Sequence, residues 1–182
     1  MDVIPTSLPE IKLLRPARLN DERGFFSETF KPSALEDAGI AFLPIQDNHV
    51  LSRQPGTVRG LHWQAAPLAQ AKLVRVLKGA IFDVVVDIRP DSATFGRHVA
   101  MELNADNWLQ LFIPAGFAHG YCTLTADTEV FYKVDSPWSK PHERGVLWND
   151  PALTISWPVD AEQAVLNSRD AALPLLHALH AP

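Results

Sequence analysis

The feature that most constrains the fold of this chain is the alternation of apolar and polar residues in short runs. In AIFDVVVDIRP (80–90), the even-numbered positions are apolar and are predicted to face one way, whereas Asp83 and Asp87 share the other face with Val85. Similar strand-like runs lie at 24–30, 71–79, 96–103, 108–114, 128–134 and 152–158. This period of two, with turn residues about every ten positions, favours an antiparallel sandwich or barrel.

Helical patterning is confined to two segments. In KPSALEDAG (31–39), Ser33 can cap a helix and Gly39 can end it, and the tail (170–182) reads as helical through DAALPLLHALH. The sequence contains no internal repeat, linker or low-complexity segment, so we expect one domain over 1–182. The strand count and length favour an all-β, double-stranded jelly-roll sandwich with a few short helices, an architecture that commonly holds a ligand cavity.

Composition argues against several partners. The chain has 16 Lys and Arg against 21 Asp and Glu, a net charge of -5, which disfavours nucleic acid and anionic membranes. No apolar run approaches the roughly 18 residues of a membrane span. The start, MDVIPTSLPEIKLL, is unlike a signal peptide, and a single cysteine, Cys122, permits no intrachain disulfide. We therefore expect a cytoplasmic protein.

The stretch RGLHWQ (59–64) places polar side chains in a strand-like run. Strict alternation puts His62 and Arg59 on opposite faces, so Arg59 reaches a shared cavity only if Gly60 bends the strand. Tyr132 is predicted to look inward and could line the same cavity as His62. Each residue also has an ordinary structural interpretation, such as a hydrogen-bonded core histidine. Together with Lys72, however, they supply a base, an acid and an oxyanion stabiliser for metal-free proton transfer.

Metal and nucleophile chemistry are less well supported. Cupin metalloenzymes usually carry a His-x-His pair, a nearby Glu and a later His, but His62-Trp63-Gln64 lacks the second His and the next acid is Asp83. His119 in PAGFAHG looks like the later histidine. Cys122 lies in apolar GYCTL, and no G-x-S-x-G, G-x-G-x-x-G or Walker motif occurs.

Several blocks together carry a family resemblance that runs from about residue 2 to 176. The sequence resembles the dTDP-4-dehydrorhamnose 3,5-epimerase family, which performs the third step of dTDP-L-rhamnose synthesis. The matching blocks are ERGFFSETF (22–30), IQDNH (45–49), GTVRGLHWQ (56–64), QAKLVRVLKGAIFDVVVDIRPDSATFG (70–96), IPAGFAHGYCTL (113–124), EVFYKV (129–134), GVLWNDPALTISWP (145–158) and NSRDAALPLL (167–176).

The resemblance implies a cupin-like jelly roll, a homodimer, and no metal or organic cofactor. The implied reaction converts dTDP-4-dehydro-6-deoxy-D-glucose, by epimerisation at C3 and C5, to dTDP-4-dehydro-L-rhamnose through an enolate. His62 resembles the general base and Asp170 its carboxylate partner. Tyr132 resembles the acid on the opposite face, and Lys72 the residue beside the C4 oxygen. We expect Lys72 also to favour the phenolate form of Tyr132.

The resemblance also implies a set of residues that bind the dTDP-sugar: Arg23, Glu28, Gln46, Asp47, Asn48, Arg59, His119, Glu143 and Arg169. Arg23 and Glu28 would come from the partner subunit, because the family exchanges N-terminal strands between protomers. Trp138 stands where a second Tyr near the nucleobase is usual, and position 169 is Arg where Lys is common. These departures leave open a mono-epimerase that inverts only C3 or C5. An alternative of a different class is a non-catalytic or metal-dependent cupin.

Overall fold

The structure, a computed structural model, describes residues 1–180. These residues form thirteen strands: β1 Asp2–Pro5, β2 Lys12–Arg15, β3 Leu19–Asp21, β4 Gly24–Phe26, β5 Gln46–Ser52, β6 Val58–Gln64, β7 Lys72–Lys78, β8 Ala80–Asp87, β9 His98–Asn104, β10 Gln110–Ile113, β11 Phe117–Thr123, β12 Thr128–Val134 and β13 Glu143–Gly145. One α-helix, α1, spans Pro32–Asp37. Short 3-10 helices span Lys140–His142, Pro151–Leu153, Asp170–Ala172 and Leu176–His180. No helix within residues 1–180 has the length and apolar character needed to cross a membrane.

Two large antiparallel sheets form the predicted jelly-roll sandwich. The six-stranded sheet has the order β1-β2-β10-β7-β12-β5, and the five-stranded sheet has the order β13-β6-β11-β8-β9. The hydrophobic core between the two sheets contains Val74 and Val76 of β7, Val85 of β8 and Phe117 of β11. The expected cupin-like, all-β fold is confirmed.

Strand β8 separates its side chains onto two faces as its alternation predicts, and both faces are buried. Val85 packs in the central core, whereas Val84 and Val86 pack on the outer face of the five-stranded sheet against Leu153 and Leu176. The C-terminal part of the chain thus covers this outer face and leaves the inner face free to build a pocket.

The predicted strand at 152–158 is wrong. A 3-10 helix, Pro151–Leu153, begins there, and Thr154 follows with φ of 50°. The apolar side chains of Ile155 and Trp157 pack against the outer face of the five-stranded sheet, so their spacing reflects packing rather than strand pairing. The predicted strand at 24–30 is also shorter in the structure, where only Gly24–Phe26 pairs.

The helix at 31–39 exists, but Ser33 does not cap it. Lys31 is the N-cap residue and Pro32 occupies the first helical position, because the fixed φ of proline suits that position and its missing N–H is not needed there. Gly39 ends the helix as predicted, with φ of +73° and its N–H donating to the Glu36 carbonyl. The C-terminal tail is helical only as two separate 3-10 turns on either side of Pro174.

The hairpin β3–β4 is held against Trp108, which lies just before β10, by cation–π contacts and a hydrogen bond. The Arg18 guanidinium lies 4.2 Å from the ring centroid of Phe25 and 4.6 Å from that of Trp108. The Trp108 Nε1–H donates to Ser27 Oγ at 3.1 Å. These contacts fix the hairpin that carries Arg23 in its turn.

Candidate active site

Arg59 and His62 reach one pocket because β6 carries an irregularity at Gly60. On β11, His119 lies opposite His62 and Tyr121 lies opposite Arg59, so three steps along β6 match two along β11. Gly60 has φ of +116°, and a Cβ there would lie 2.6 Å from Gly120 Cα. The extra residue reverses the alternation, which confirms that Arg59 joins His62 through a bend at Gly60.

The pocket has a volume of about 240 Å³ and receives side chains from both large sheets. Strands β5, β7 and β12 supply residues from one sheet, and β6, β11 and β13 supply residues from the other. The lining residues are Val50, Arg59, His62, Lys72, His119, Tyr121, Tyr132, Glu143, Asn167, Arg169 and Asp170. The four residues predicted to be catalytic therefore lie in one pocket.

His62 and Asp170 form a hydrogen-bonded pair at the pocket wall. The His62 Nε2 lies 2.8 Å from Asp170 Oδ1, and Asp170 Oδ2 accepts a bond from the Gly60 N–H at 3.2 Å. Asp170 is buried, and the Asn167 side chain accepts from its N–H at 2.7 Å. Burial alone would raise the pKa of Asp170, but the bond and charge of His62, the Gly60 N–H and the charge of Arg169 together lower it.

An ionised Asp170 sets the tautomer of His62. The carboxylate accepts a hydrogen bond at Nε2, so the neutral imidazole carries its proton there and keeps Nδ1 free to accept one. The pair therefore has the arrangement of a general base with an orienting carboxylate.

Tyr132 is a neutral phenol in this pocket. Burial raises its pKa, the negative charge of Glu143 raises it further, and the positive charge of Arg59 acts in the opposite direction. The expectation that Lys72 favours the phenolate is therefore wrong: the pKa of Tyr132 is raised overall, and the cation that acts against this rise is Arg59. A neutral phenol can donate a proton at neutral pH.

Lys72 is a buried lysine beside the same centre. Burial lowers its pKa to about 8, against the opposing charges of Asp83 and Glu143. Its Nζ donates to the His62 carbonyl oxygen at 3.2 Å. With a pKa of about 8 it is still mostly charged at pH 7, so the ammonium can stabilise negative charge that develops in the pocket.

His119 has a partner that sequence reasoning missed. Its Nε2 lies 3.0 and 2.9 Å from the two carboxylate oxygens of Asp83, and both residues are buried. The sequence does contain a sign of this pair, because Asp83 is a charged residue on the inward face of β8, where an apolar residue would be expected. Tyr121 was missed as well, although it lies two positions after His119 and so shares its face.

Among the other predicted binding residues, Arg169 and Glu143 form a bidentate ion pair at the pocket, with distances of 2.8 and 2.7 Å. Arg59 is positioned by a bond of 3.1 Å from its Nε to Ser52 Oγ. The guanidinium groups of Arg59 and Arg169 therefore line the pocket with Lys72, as a site for an anionic ligand requires.

Gln46, Asp47 and Asn48 occupy the edge strand β5, where alternation separates them. Gln46 and Asn48 share the face of Val50 and are joined by a hydrogen bond of 2.8 Å. Asp47 lies on the other face, where it pairs with Lys133 at 2.9 Å. The structure therefore does not bring the Asp47 side chain to the pocket. Trp138 is 56% exposed, and its backbone N–H donates to Gln46 Oε1 at 3.1 Å.

Arg23 and Glu28 lie away from the pocket of their own chain. The Arg23 side chain is 82% exposed and pairs with Asp21 at 2.6 Å within the hairpin turn. Glu28 is also exposed, and its carboxylate lies 3.8 Å from Lys31. The charged contacts of both residues are therefore local and exposed to solvent.

No group of three or more His, Cys, Asp or Glu side chains placed to hold a metal ion occurs in residues 1–180.

Comparison with known proteins places this pocket in a family. A family model described as dTDP-4-dehydrorhamnose 3,5-epimerase matches residues 5–178. The chain belongs to the dTDP-4-dehydrorhamnose 3,5-epimerase family. The resemblance predicted from the sequence blocks is confirmed, and the protein is an isomerase.

Relatives of this epimerase family match nearly the whole chain. The dTDP-4-dehydrorhamnose 3,5-epimerase of Sinorhizobium fredii is 49% identical over 174 residues, which cover 93% of this chain and 87% of the relative. The crystal structure of the Bacillus anthracis enzyme with TDP and PPi bound is 48% identical, with a TM-score of 0.93 over 96% of this chain and 98% of that one. The Legionella pneumophila enzyme in complex with dTDP-4-keto-L-rhamnose is 42% identical, with a TM-score of 0.92 over 97% and 93%.

Proposed function

We propose that this single jelly-roll domain epimerises dTDP-4-dehydro-6-deoxy-D-glucose at C3 and C5, giving dTDP-4-dehydro-L-rhamnose. The observation that carries the proposal is one pocket that holds an oriented histidine base, a neutral phenol and a buried ammonium. The family supports the choice of substrate. A mono-epimerase is not favoured, because the named relatives at 42–49% identity are 3,5-epimerases.

The roles of the residues follow from the chemistry of a C4 ketone. The ketone makes the hydrogens on C3 and C5 acidic, provided that the enolate is stabilised as it forms. His62 takes the proton from carbon, the electron pair moves to the C4 oxygen, and Lys72 stabilises the resulting charge. Tyr132 then delivers a proton to carbon on the opposite face, which inverts the centre. Each proton-transfer group contributes typically about 10²–10⁴-fold to the rate.

The nucleotide part of the substrate explains the remaining polar residues. A protein with a net charge of -5 needs fixed guanidinium groups to hold a diphosphate, and Arg59 and Arg169 supply them at the pocket. Gln46, Asn48 and the exposed Trp138 ring lie together at β5, where they can meet the nucleobase.

We infer that the working unit is a homodimer with exchanged N-terminal strands, in which Arg23 and Glu28 complete the partner's pocket. The support is local. Both side chains are exposed, the hairpin β3–β4 pairs with neither large sheet, and Leu19 and Phe26 are each 65% exposed on it. An exposed apolar hairpin of this kind gains from a second chain that covers it.

A mixing experiment tests the exchange. Arg23→Ala and His62→Ala proteins are each expected to be impaired, and they are unfolded and refolded together. If Arg23 serves the partner's pocket, each mixed dimer has one intact site, so about a quarter of all sites recover in a statistical mixture. If Arg23 serves its own pocket, every site keeps one defect and no activity returns. A monomer at micromolar concentration with full activity would also contradict the dimer.

We also propose that the enzyme works in the cytoplasm without a metal or organic cofactor. The single cysteine, Cys122, is buried and free, which suits a reducing compartment. Fractionation of the source cells, with the protein followed by antibody, tests the location.

Labelling in deuterated water tests the proposed reaction. The protein is incubated with dTDP-4-dehydro-6-deoxy-D-glucose, and deuterium at each carbon of the product is read by NMR. Label at both C3 and C5 with inversion is expected. Label and inversion at one carbon alone would mean a mono-epimerase, and no label at all would contradict proton transfer.

A further inference from the structure

Three buried side-chain atoms among residues 1–180 have no hydrogen-bond partner: Arg18 Nε, Gln110 Oε1 and Tyr121 Oη. Arg18 and Gln110 do not line the pocket. The Arg18 guanidinium lies over aromatic rings, and the Gln110 amide nitrogen donates to the Thr29 carbonyl oxygen. Tyr121 does line it. A buried hydroxyl without a partner is costly, so its retention beside a substrate pocket calls for a ligand.

The Tyr121 ring is fixed and its hydroxyl lies beside cationic and polar groups. The residue is only 5% exposed, and its ring packs in the core between the sheets. On β11 it lies directly opposite Arg59 on one side and Asp83 on the other. Ser52 lies near enough to the Tyr121 hydroxyl to act against the rise in its pKa, but the two groups do not meet hydrogen-bond geometry.

We propose that Tyr121 is a further substrate-binding residue, whose hydroxyl donates a hydrogen bond to the phosphate that carries the sugar. This inference rests on the proposed function, since it takes a nucleoside diphosphate sugar as the ligand. An anionic group held by Arg59 comes next to Tyr121 Oη, because the two residues are paired across the strands. The sugar-bearing phosphate is the one concerned, because Tyr121 lines the same pocket as His62 and Tyr132, which act on the sugar.

The ionisation of Tyr121 agrees with a donor role. Burial raises its pKa above the ordinary range for a phenol, against the opposing charge of Arg59, so the hydroxyl keeps its proton at working pH. A neutral hydroxyl beside a phosphate oxygen donates a charge-assisted hydrogen bond, which is stronger than one between neutral groups.

Titration calorimetry on Tyr121→Phe with two nucleotides tests the inference. The substitution keeps the ring and removes only Oη. We expect the Kd for dTDP to rise about tenfold or more, as for a bond to a charged group, and the Kd for dTMP, which lacks the second phosphate, to stay within about twofold. Tyr132→Phe is the matched control, because it removes the other phenolic hydroxyl of the pocket and should leave the Kd for dTDP unchanged.

Thermal unfolding of the free proteins separates binding from packing. Because Tyr121 Oη has no partner without substrate, Tyr121→Phe should melt no lower than the wild type. An unchanged Kd for dTDP would overturn the inference, and so would equal losses for dTDP and dTMP or a lowered melting temperature. A wild-type protein that does not bind dTDP would overturn the proposed function as well, whereas wild-type binding with an unaffected variant overturns this inference alone.

Discussion

Replacing Lys72 with methionine should make the protein more stable at neutral pH and inactive. The wild-type ammonium is buried in the pocket, and burial lowers its pKa from 10.5 to about 8. Each unit of such a shift corresponds to about 1.4 kcal/mol of differential stability. The protein thus keeps at its centre a charge that the fold disfavours, which is expected of a group retained for catalysis.

The sign and size of the effect follow from proton linkage. Between about pH 8 and 10.5 the unfolded chain holds a proton on Lys72 that the native protein has lost, so wild-type stability rises with pH across that window. At pH 7 the shift disfavours the wild type by about 3 kcal/mol relative to a non-titrating residue, and at pH 9.5 by only about 1 kcal/mol. The stability advantage of Lys72→Met should therefore shrink by about 2 kcal/mol between these pH values.

Urea unfolding of wild type and Lys72→Met at pH 7 and pH 9.5 measures this difference directly. Lys78→Met is the matched control, since it makes the same substitution at the exposed end of the same strand. It should change stability equally at both pH values. Parallel pH profiles for wild type and Lys72→Met would refute the reasoning, because they would show that Lys72 titrates alike in the folded and unfolded protein.

The remaining predictions concern the base, the bend and the metal. Asp170→Asn should lower turnover by about 10²–10⁴-fold in steady-state assays, because His62 loses the carboxylate that orients it; turnover within twofold of wild type would contradict the pair. Gly60→Ala should cost about 2 kcal/mol or more in urea unfolding, because its Cβ meets the Gly120 backbone. Gly39 also has a positive φ, but an added Cβ there would meet no other atom, so Gly39→Ala should cost only about 1 kcal/mol. Equal losses of stability in the two variants would show that backbone strain alone, and not the contact with Gly120, sets the cost at Gly60. Exhaustive chelation should leave activity intact, and loss of activity restored by added iron, manganese or zinc would contradict metal-free proton transfer.

The sandwich and its catalytic residues could be predicted because they leave local signals. Alternation in β8 predicted which residues share each face, and the motif blocks brought His62, Lys72, Tyr132 and Asp170 together although they are distant in sequence. The sequence also indicated a bend at Gly60 as the condition for Arg59 to reach the pocket of His62, since a glycine within a strand can mark a bulge.

Other features depend on tertiary contacts that no local pattern contains. His119 and Asp83 lie 36 residues apart on neighbouring strands, so only the register of β8 and β11 shows that they meet. The apolar spacing after Leu153 looked like a strand because packing on a sheet can also select alternate residues. The influence of Lys72 on Tyr132 was misjudged, because burial and the charge of Glu143 raise the pKa of this phenol, and the opposing cation is Arg59.

Hydrogen exchange by His62→Ala and Tyr132→Phe in deuterated water tests the central claim most directly. If His62 is the base, its loss should abolish both turnover and exchange of the C3 and C5 hydrogens, because no enolate forms. If Tyr132 only delivers the proton on the far face, Tyr132→Phe should still exchange hydrogen at one carbon or more without inversion, because His62 can return a solvent-derived proton to the same face. Equal loss of exchange in both variants, or exchange that persists without His62, would contradict the assignment of base and acid to opposite faces.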